Sequence, residues 1–183
     1  MRHIIALLLL AMTVAGAAGS VSAAPEKEFL TPKEIEKIQD AQEIDLRMKI
    51  YMAAATLRLK TAEDRLIGNE PVAGDPMEFF TPEDLVDAYY RIIKSVMFNM
   101  DDAFQKPGAD RGRLGKALNT LKSGTETAGK QLEILKKTAE DKKKEELWNA
   151  VNKAIDITNG AHEGAEYGLS KQPAPSEKKK KSR

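Results

Sequence analysis

A heptad pattern runs through residues 114–139, LGKALNTLKSGTETAGKQLEILKKTA, and it decides the fold class. Its members are apolar residues and one threonine, and they recur in alternating steps of four and three: Leu114, Leu118, Leu121, Thr125, Ala128, Leu132, Leu135 and Ala139. This spacing places all of them on one face of an α-helix. The stretch therefore predicts a long amphipathic helix that packs against other helices.

Three further segments repeat the same spacing, and they are Pro32–Ile67, Pro82–Gln105 and Trp148–Leu169. No segment shows the period-two alternation of a strand bounded by turn residues. The pattern predicts an all-α protein, an up-down antiparallel bundle of about four helices with a long first helix.

The connections between these helices have the composition of turns. Residues 68–80 and 106–112 contain the glycines and prolines that end helices. The charged run at residues 140–144 has neither, but it interrupts the apolar stripe, which favours a turn over one continuous helix. Two helix starts are explicit, because Thr31-Pro32 is followed by Glu34 and Thr81-Pro82 by Asp84, the pattern of a capping box.

The first 23 residues have the pattern of a secretory signal peptide. A short basic start precedes an apolar run at residues 4–14, and small residues lead to a cleavage site after Ala23. The apolar run is shorter than the roughly 20 residues that span a membrane. We expect residues 1–23 to be removed on export to the periplasm or the medium.

The predicted organisation continues with a leader at residues 24–30, a helical bundle domain at 31–170 and a disordered Lys-rich tail at 171–183. Cleavage removes Arg2, which leaves 28 basic and 28 acidic residues. The tail holds six basic residues and one acidic residue, so the body carries a net charge of −5. An acidic body argues against nucleic-acid binding, whereas the tail is suited to weak contact with an anionic surface.

The composition excludes several classes of function. The chain has no Cys, which excludes a disulfide scaffold, a thiolate zinc site and a cysteine nucleophile. It has two His residues, and only His162 remains after cleavage, so neither a catalytic triad nor a di-metal site with two Glu-x-x-His motifs is indicated. We predict that the protein is not an enzyme, and that it needs no cofactor.

One alternative is a haem or metal carrier. His162 lies on the apolar stripe of the last helix, and in an up-down bundle Met97 and Met100 come to lie near its level. A His and a Met inside a bundle are the ligands of some cytochromes. The competing interpretation is a partly buried His162 that hydrogen-bonds Thr158 or a backbone carbonyl.

The last helix also contains a glycine pattern. Gly160, Gly164 and Gly168 recur every four residues, near Tyr167. One interpretation is that the helix ends at Gly160. The other is a helix that continues to Leu169 and presents these four residues as an interaction surface. We expect a non-catalytic binding or scaffold protein that acts through helix faces on a protein partner or on a second copy of itself, and an exposed apolar patch where it does so.

Overall fold

The computed structural model describes residues 27–172, and this part of the chain is all-helical, with five helices and no strand. The predicted signal peptide and most of the Lys-rich tail lie outside the described residues. The helices are α1 (Pro32–Asp40), α2 (Ile44–Leu66), α3 (Pro82–Gln105), α4 (Arg111–Asp141) and α5 (Glu145–Ser170).

Both predicted capping boxes are confirmed. The hydroxyl of Thr31 accepts a hydrogen bond from the backbone N–H of Glu34, whose carboxylate accepts from the N–H of Thr31. Thr81 and Asp84 make the same reciprocal pair at the start of α3. The predicted turn after α4 is also confirmed, and Lys143 adopts the left-handed conformation there with φ 53°. Each of these boundaries is set by a local sequence signal.

The long first helix is a wrong prediction, because the chain breaks at residues 41–43 into α1 and α2. Ala41 is extended, and its carbonyl accepts two hydrogen bonds, at 3.1 and 3.0 Å, from the guanidinium of Arg47. This side chain supplies the capping donors that an abrupt helix end requires. The break allows α1 to fold back along α2.

A largely buried ion pair holds α1 against α2. Arg58 is 1% exposed, and its guanidinium donates two hydrogen bonds, at 3.0 and 2.6 Å, to the two carboxylate oxygens of Glu34 and one, at 2.9 Å, to the carbonyl of Phe29. A buried guanidinium without such partners is strongly destabilising. The ion pair between Glu34 of α1 and Arg58 of α2 therefore compensates a guanidinium charge that would otherwise be buried without a partner.

Helices α2 and α4 pack side by side in the same direction. Asp45 contacts Arg113 at 3.1 Å where both helices begin, and Lys142 donates to the carbonyl of Leu66 where both end. Helices α3 and α5 are also parallel, because Glu83 approaches Lys144 at their starts, and Tyr89 bonds Thr158 further along.

Antiparallel contacts join these two pairs. Along α4 and α5, Lys122 contacts Glu166 at 2.7 Å, while Glu140 accepts from the indole N–H of Trp148 at the other end. Helix α2 packs against α3 on the opposite side. The apolar stripes of α2 to α5 meet between the helices, and the leucines of the heptad are among the most buried side chains: Leu114, Leu118, Leu121, Leu132 and Leu135.

Candidate binding surfaces

His162 lies at the seam between α4 and α5, with about 29% of its side chain exposed. Its Nδ1 is 3.1 Å from the hydroxyl oxygen of Thr125. That hydroxyl lies within 2.8 Å of the Leu121 carbonyl and 3.0 Å of the Lys122 carbonyl, so its own proton is committed to the backbone. The Nδ1–H of His162 is therefore the donor in this hydrogen bond.

The other ring nitrogen of His162 faces a carboxylate. Its Nε2 is 3.6 Å from Glu166, which also contacts Lys122 at 2.7 Å. The hydrogen bond from Lys122, with a smaller contribution from His162, lowers the pKa of Glu166 below its usual value. Glu166 is therefore an anion at neutral pH, in contact with one cation and beside the imidazole.

The sequence offered Thr158 or a backbone carbonyl as partner of His162, and the structure gives it Thr125 instead. Thr158 bonds Tyr89 of α3, because successive turns of α5 direct these two side chains to different neighbouring helices. Met97 and Met100 also belong to α3, with Met100 buried in the core and Met97 packed at its edge. One ring nitrogen of His162 thus faces Thr125 of α4, and the other faces Glu166 on the next turn of α5. Neither ring nitrogen faces a methionine of α3.

The glycine pattern of α5 separates into two kinds of site. The helix continues through Gly160 to Ser170, as the second interpretation expected. A Cβ added at Gly160 or Gly164 would meet no atom within 4 Å, whereas one at Gly168 would lie 3.0 Å from both methyl groups of Leu118. Gly168 is therefore closely packed against Leu118 inside the molecule, whereas Gly160 and Gly164 face open space. Tyr167 is 67% exposed on this helix.

An aromatic groove borders α3, and none of the sequence patterns above pointed to it. The groove has a volume of about 560 Å³ and is lined by four aromatic rings, those of Phe29, Tyr51, Tyr90 and Phe98. Phe98 is 74% exposed, which is unusual for a phenylalanine in the middle of a regular helix. We name this surface the aromatic groove.

Three charged residues of α3 also line the aromatic groove, namely Asp87, Arg91 and Lys94. The guanidinium of Arg91 lies 4.5 Å from the centre of the Phe29 ring, in the geometry of a cation–π contact, and donates to the carbonyl of Lys27 at 2.9 Å. Arg91 therefore fixes the chain before α1 against α3. Because α1 is tied to α2 as well, three separate segments shape the groove.

A second, smaller cavity of about 200 Å³ lies where α2 and α4 begin and α3 ends. Its lining is rich in charge, but these charges pair with one another. Arg113 contacts Glu43 at 2.8 Å and Asp110 at 3.6 Å, and Lys106 contacts Asp102 at 2.6 Å. These ion pairs hold the helix ends together. Of the two cavities, the aromatic groove is the larger, and its lining is the more apolar.

Two general properties of the described chain bear on its chemistry. Within residues 27–172, no three or more His, Asp or Glu side chains come together in a way that would hold a metal ion. Over the same residues, no helix has the combination of length and hydropathy needed to cross a membrane.

Comparisons with known proteins yielded no match to this chain. No protein-family model, no curated protein and no solved structure matches it.

Proposed function

We propose that the protein is an exported, non-catalytic binding protein, and that the aromatic groove is its principal binding surface. One observation carries this proposal: four aromatic side chains from three segments converge on one groove, and Phe98 remains 74% exposed there. Exposed apolar surface of this kind, next to polar residues, is typical of interaction sites.

The construction of the groove supports a binding role. Phe98, Tyr90 and Arg91 belong to one regular helix, whose other face is buried in the core. Binding groups on a rigid helix need little ordering when a ligand arrives, which favours affinity. Aromatic rings also provide a large contact area with few rotatable bonds.

The architecture and location that accompany this function are part of the proposal. Helices α2 to α5 form an up-down bundle whose direction alternates along the chain, with α1 as a short strap folded back on α2. Export follows from the signal-peptide pattern of residues 1–23. Purification of the protein from the periplasm or medium with Ala24 as its first residue tests both the export and the cleavage site.

A second surface is proposed on α5, at Gly160, Gly164 and Tyr167. The open space around the two glycines supports it, because nothing inside the molecule requires a missing side chain at either position. This surface would allow another helix to approach closely, either from a protein partner or from a second copy of the chain.

A neutral fluorescent probe tests the aromatic groove. We expect N-phenylnaphthylamine, which is apolar and uncharged, to bind the exported protein with one-to-one stoichiometry. Phe98→Ser should raise its dissociation constant about five- to tenfold, since it removes an aromatic contact. Phe79→Ser is the matched control, because Phe79 is a similarly exposed phenylalanine outside the groove. Equal effects of the two substitutions, or no saturable binding, would contradict the proposal.

A further inference from the structure

The face of α2 that points away from the bundle carries an apolar stripe of its own. Its members follow one another in steps of four, three and four, and we name them the outer stripe: Leu46, Ile50, Ala53 and Leu57. We propose that two copies of the protein pair through the outer stripe, with their α2 helices antiparallel. This surface is separate from the aromatic groove, and the inference does not depend on what the groove binds.

The outer stripe is largely open to solvent. The core stripe of α2 has the same spacing, and its members are buried: Met48, Met52, Ala55 and Leu59. The two stripes are offset by two positions, which is about 200° around a helix with 3.6 residues per turn. Leu46 and Leu57 are accordingly 45% and 43% exposed. Apolar residues repeated at this spacing are typical of the seam between two paired helices.

Helix α1 lies beside the outer stripe and does not cover it. Arg47 and Arg58 are its anchors on α2, and each comes one position after a leucine of the stripe. One position is about 100° around the helix, so α1 packs on the flank of α2. A second helix can therefore approach the outer stripe while α1 stays in place.

The spacing of the outer stripe fits a second copy of itself. Steps of four, three and four read the same in both directions, so an antiparallel partner places Leu46 opposite Leu57. The same register places Ile50 opposite Ala53, where a large side chain meets a small one and the helices can interdigitate. A two-fold axis between positions 51 and 52 repeats each contact, as an isologous interface requires.

Charge at the two ends of the outer stripe favours the antiparallel direction. The next positions in the same spacing are Glu43 before the stripe and Lys60 after it. Antiparallel pairing brings Lys60 opposite Glu43 of the second copy, whereas parallel pairing would place each of them opposite its own like charge. Glu63 and Asp64 lie on the next turn after Lys60, and no ion pair within the described residues joins Lys60 to either.

Other charges surround Glu43, and they limit what this contact contributes. Glu43 contacts Arg113 at 2.8 Å, but Arg113 also contacts Asp45 and Asp110, so three carboxylates share that guanidinium. Arg47, one turn along α2, reduces the negative charge near Glu43. The ion pair therefore selects the direction of pairing, while the apolar contacts of the outer stripe supply its strength.

Sedimentation velocity of the exported protein over a range of concentrations tests the pairing. We expect a reversible dimer, since one stripe on one helix forms a small interface. Leu57→Glu should raise the dimer dissociation constant about 100-fold, because the two-fold axis buries the added carboxylate twice. Ile134→Glu is the matched control, since Ile134 is an apolar residue of similar exposure on α4. Circular dichroism of each variant establishes that it is folded.

Cysteine variants measure the direction of pairing, because the chain has no Cys of its own. Leu46→Cys and Leu57→Cys are treated with a short bismaleimide, separately and as a mixture. The antiparallel register brings the thiols of the mixture together. In each variant alone the thiols are offset by eleven residues, about 16 Å along the helices. Parallel pairing would reverse this result.

The outcomes separate this inference from the other proposed surfaces. A dimer that is lost in Leu57→Glu, kept in Ile134→Glu and cross-linked only in the mixture supports it. A monomer at every concentration, a dimer that survives Leu57→Glu, or any other cross-linking pattern overturns it. Loss of the dimer only in the Gly160→Ala/Gly164→Ala double variant would assign self-association to α5 instead. Leu57→Glu should bind N-phenylnaphthylamine as the wild type does, so the test of the aromatic groove stands apart.

Discussion

Tyr89 and Thr158 form a hydrogen-bonded pair of polar groups in the core, and the direction of the bond can be assigned. The Thr158 hydroxyl donates to the carbonyl of Ala154 at 2.6 Å, so the Tyr89 hydroxyl donates to Thr158 at 2.7 Å. Burial raises the pKa of Tyr89 to about 12, although the bond to Thr158 partly offsets this effect. The neutral phenol is therefore the form that the folded protein stabilises.

This pair predicts a loss of stability at alkaline pH. Above pH 10 the unfolded chain releases the phenol proton while the folded protein retains it until about pH 12, so the free energy of unfolding falls over this window. Tyr89→Phe should cost about 1 kcal/mol at pH 7 through the lost hydrogen bond. Above pH 10 the free energy of unfolding of the wild type falls by about 1.4 kcal/mol per pH unit. The stabilities of the wild type and Tyr89→Phe should therefore converge near pH 11.

Urea unfolding of both proteins between pH 7 and 11 measures this convergence. Tyr167→Phe is the control for removal of a phenol hydroxyl outside the core, since Tyr167 is largely exposed. A constant difference between wild type and Tyr89→Phe at every pH would show that the phenol of Tyr89 ionises as freely in the folded protein as in the unfolded chain.

At the scale of the helix, the three glycines of α5 should respond in opposite ways to alanine. Gly160→Ala and Gly164→Ala should each stabilise the protein by about 1 kcal/mol, because alanine has the higher helix propensity and its methyl group meets no atom. Gly168→Ala should give no such gain, because its Cβ would lie 3.0 Å from the Leu118 methyl groups and 3.3 Å from the Phe104 ring. Thermal unfolding of the three single variants provides the comparison.

The same variants test the proposed surface on α5. If another helix approaches Gly160 and Gly164 closely, the double alanine variant should be more stable as a monomer and yet lose its association. Sedimentation velocity over a range of concentrations detects self-association, and a tagged protein exposed to cell-envelope extract detects a partner. Association that is unchanged in the double variant would exclude close approach at these two positions.

Helix boundaries show which local rules suffice for prediction. The two capping boxes follow from Thr, Pro and an acidic residue within four positions, so they can be read directly. Residues 41–43 contain neither glycine nor proline, and nothing local predicts the break there. The side chain of Arg47 caps the helix end at Ala41, and Arg58 holds Glu34 of α1 against α2 across 24 residues of sequence, a contact that becomes visible only in the tertiary structure.

The aromatic groove was missed for a related reason. Tyr90 and Phe98 lie outside the apolar stripe of α3, and an aromatic residue on the polar face of an amphipathic helix is a signal that can be read from sequence. Tyr51 reaches the same place because α2 packs against α3, and Phe29 because Arg58 and Arg91 hold the chain before α1 there. Their convergence therefore becomes visible only with the tertiary structure.

At the scale of the whole molecule, α1 is the element least secured by the core. None of its residues is buried, and Glu34 is its principal anchor through Arg58. Burial raises the pKa of Glu34, but hydrogen bonds from Arg58 and Thr31 outweigh this effect and lower it overall. The ionised carboxylate therefore contributes stability above the ordinary pKa of 4.5, and this contribution is lost as the pH falls through the lower folded value.

Helix α1 should consequently open before the rest of the molecule. In hydrogen exchange at neutral pH, we expect amides of α1 to exchange faster than those of the α4 heptad, and Glu34→Gln to accelerate α1 further while it leaves α4 unchanged. Glu36→Gln is the matched control, because Glu36 is exposed on the same short helix. Since Phe29 directly precedes α1 and its carbonyl is bound by the same Arg58 that holds Glu34, release of α1 should also weaken binding of the neutral probe. If Glu34→Gln instead accelerated amide exchange in α1 and α4 together, α1 would unfold only with the rest of the bundle. The aromatic groove would then also be lost only on global unfolding.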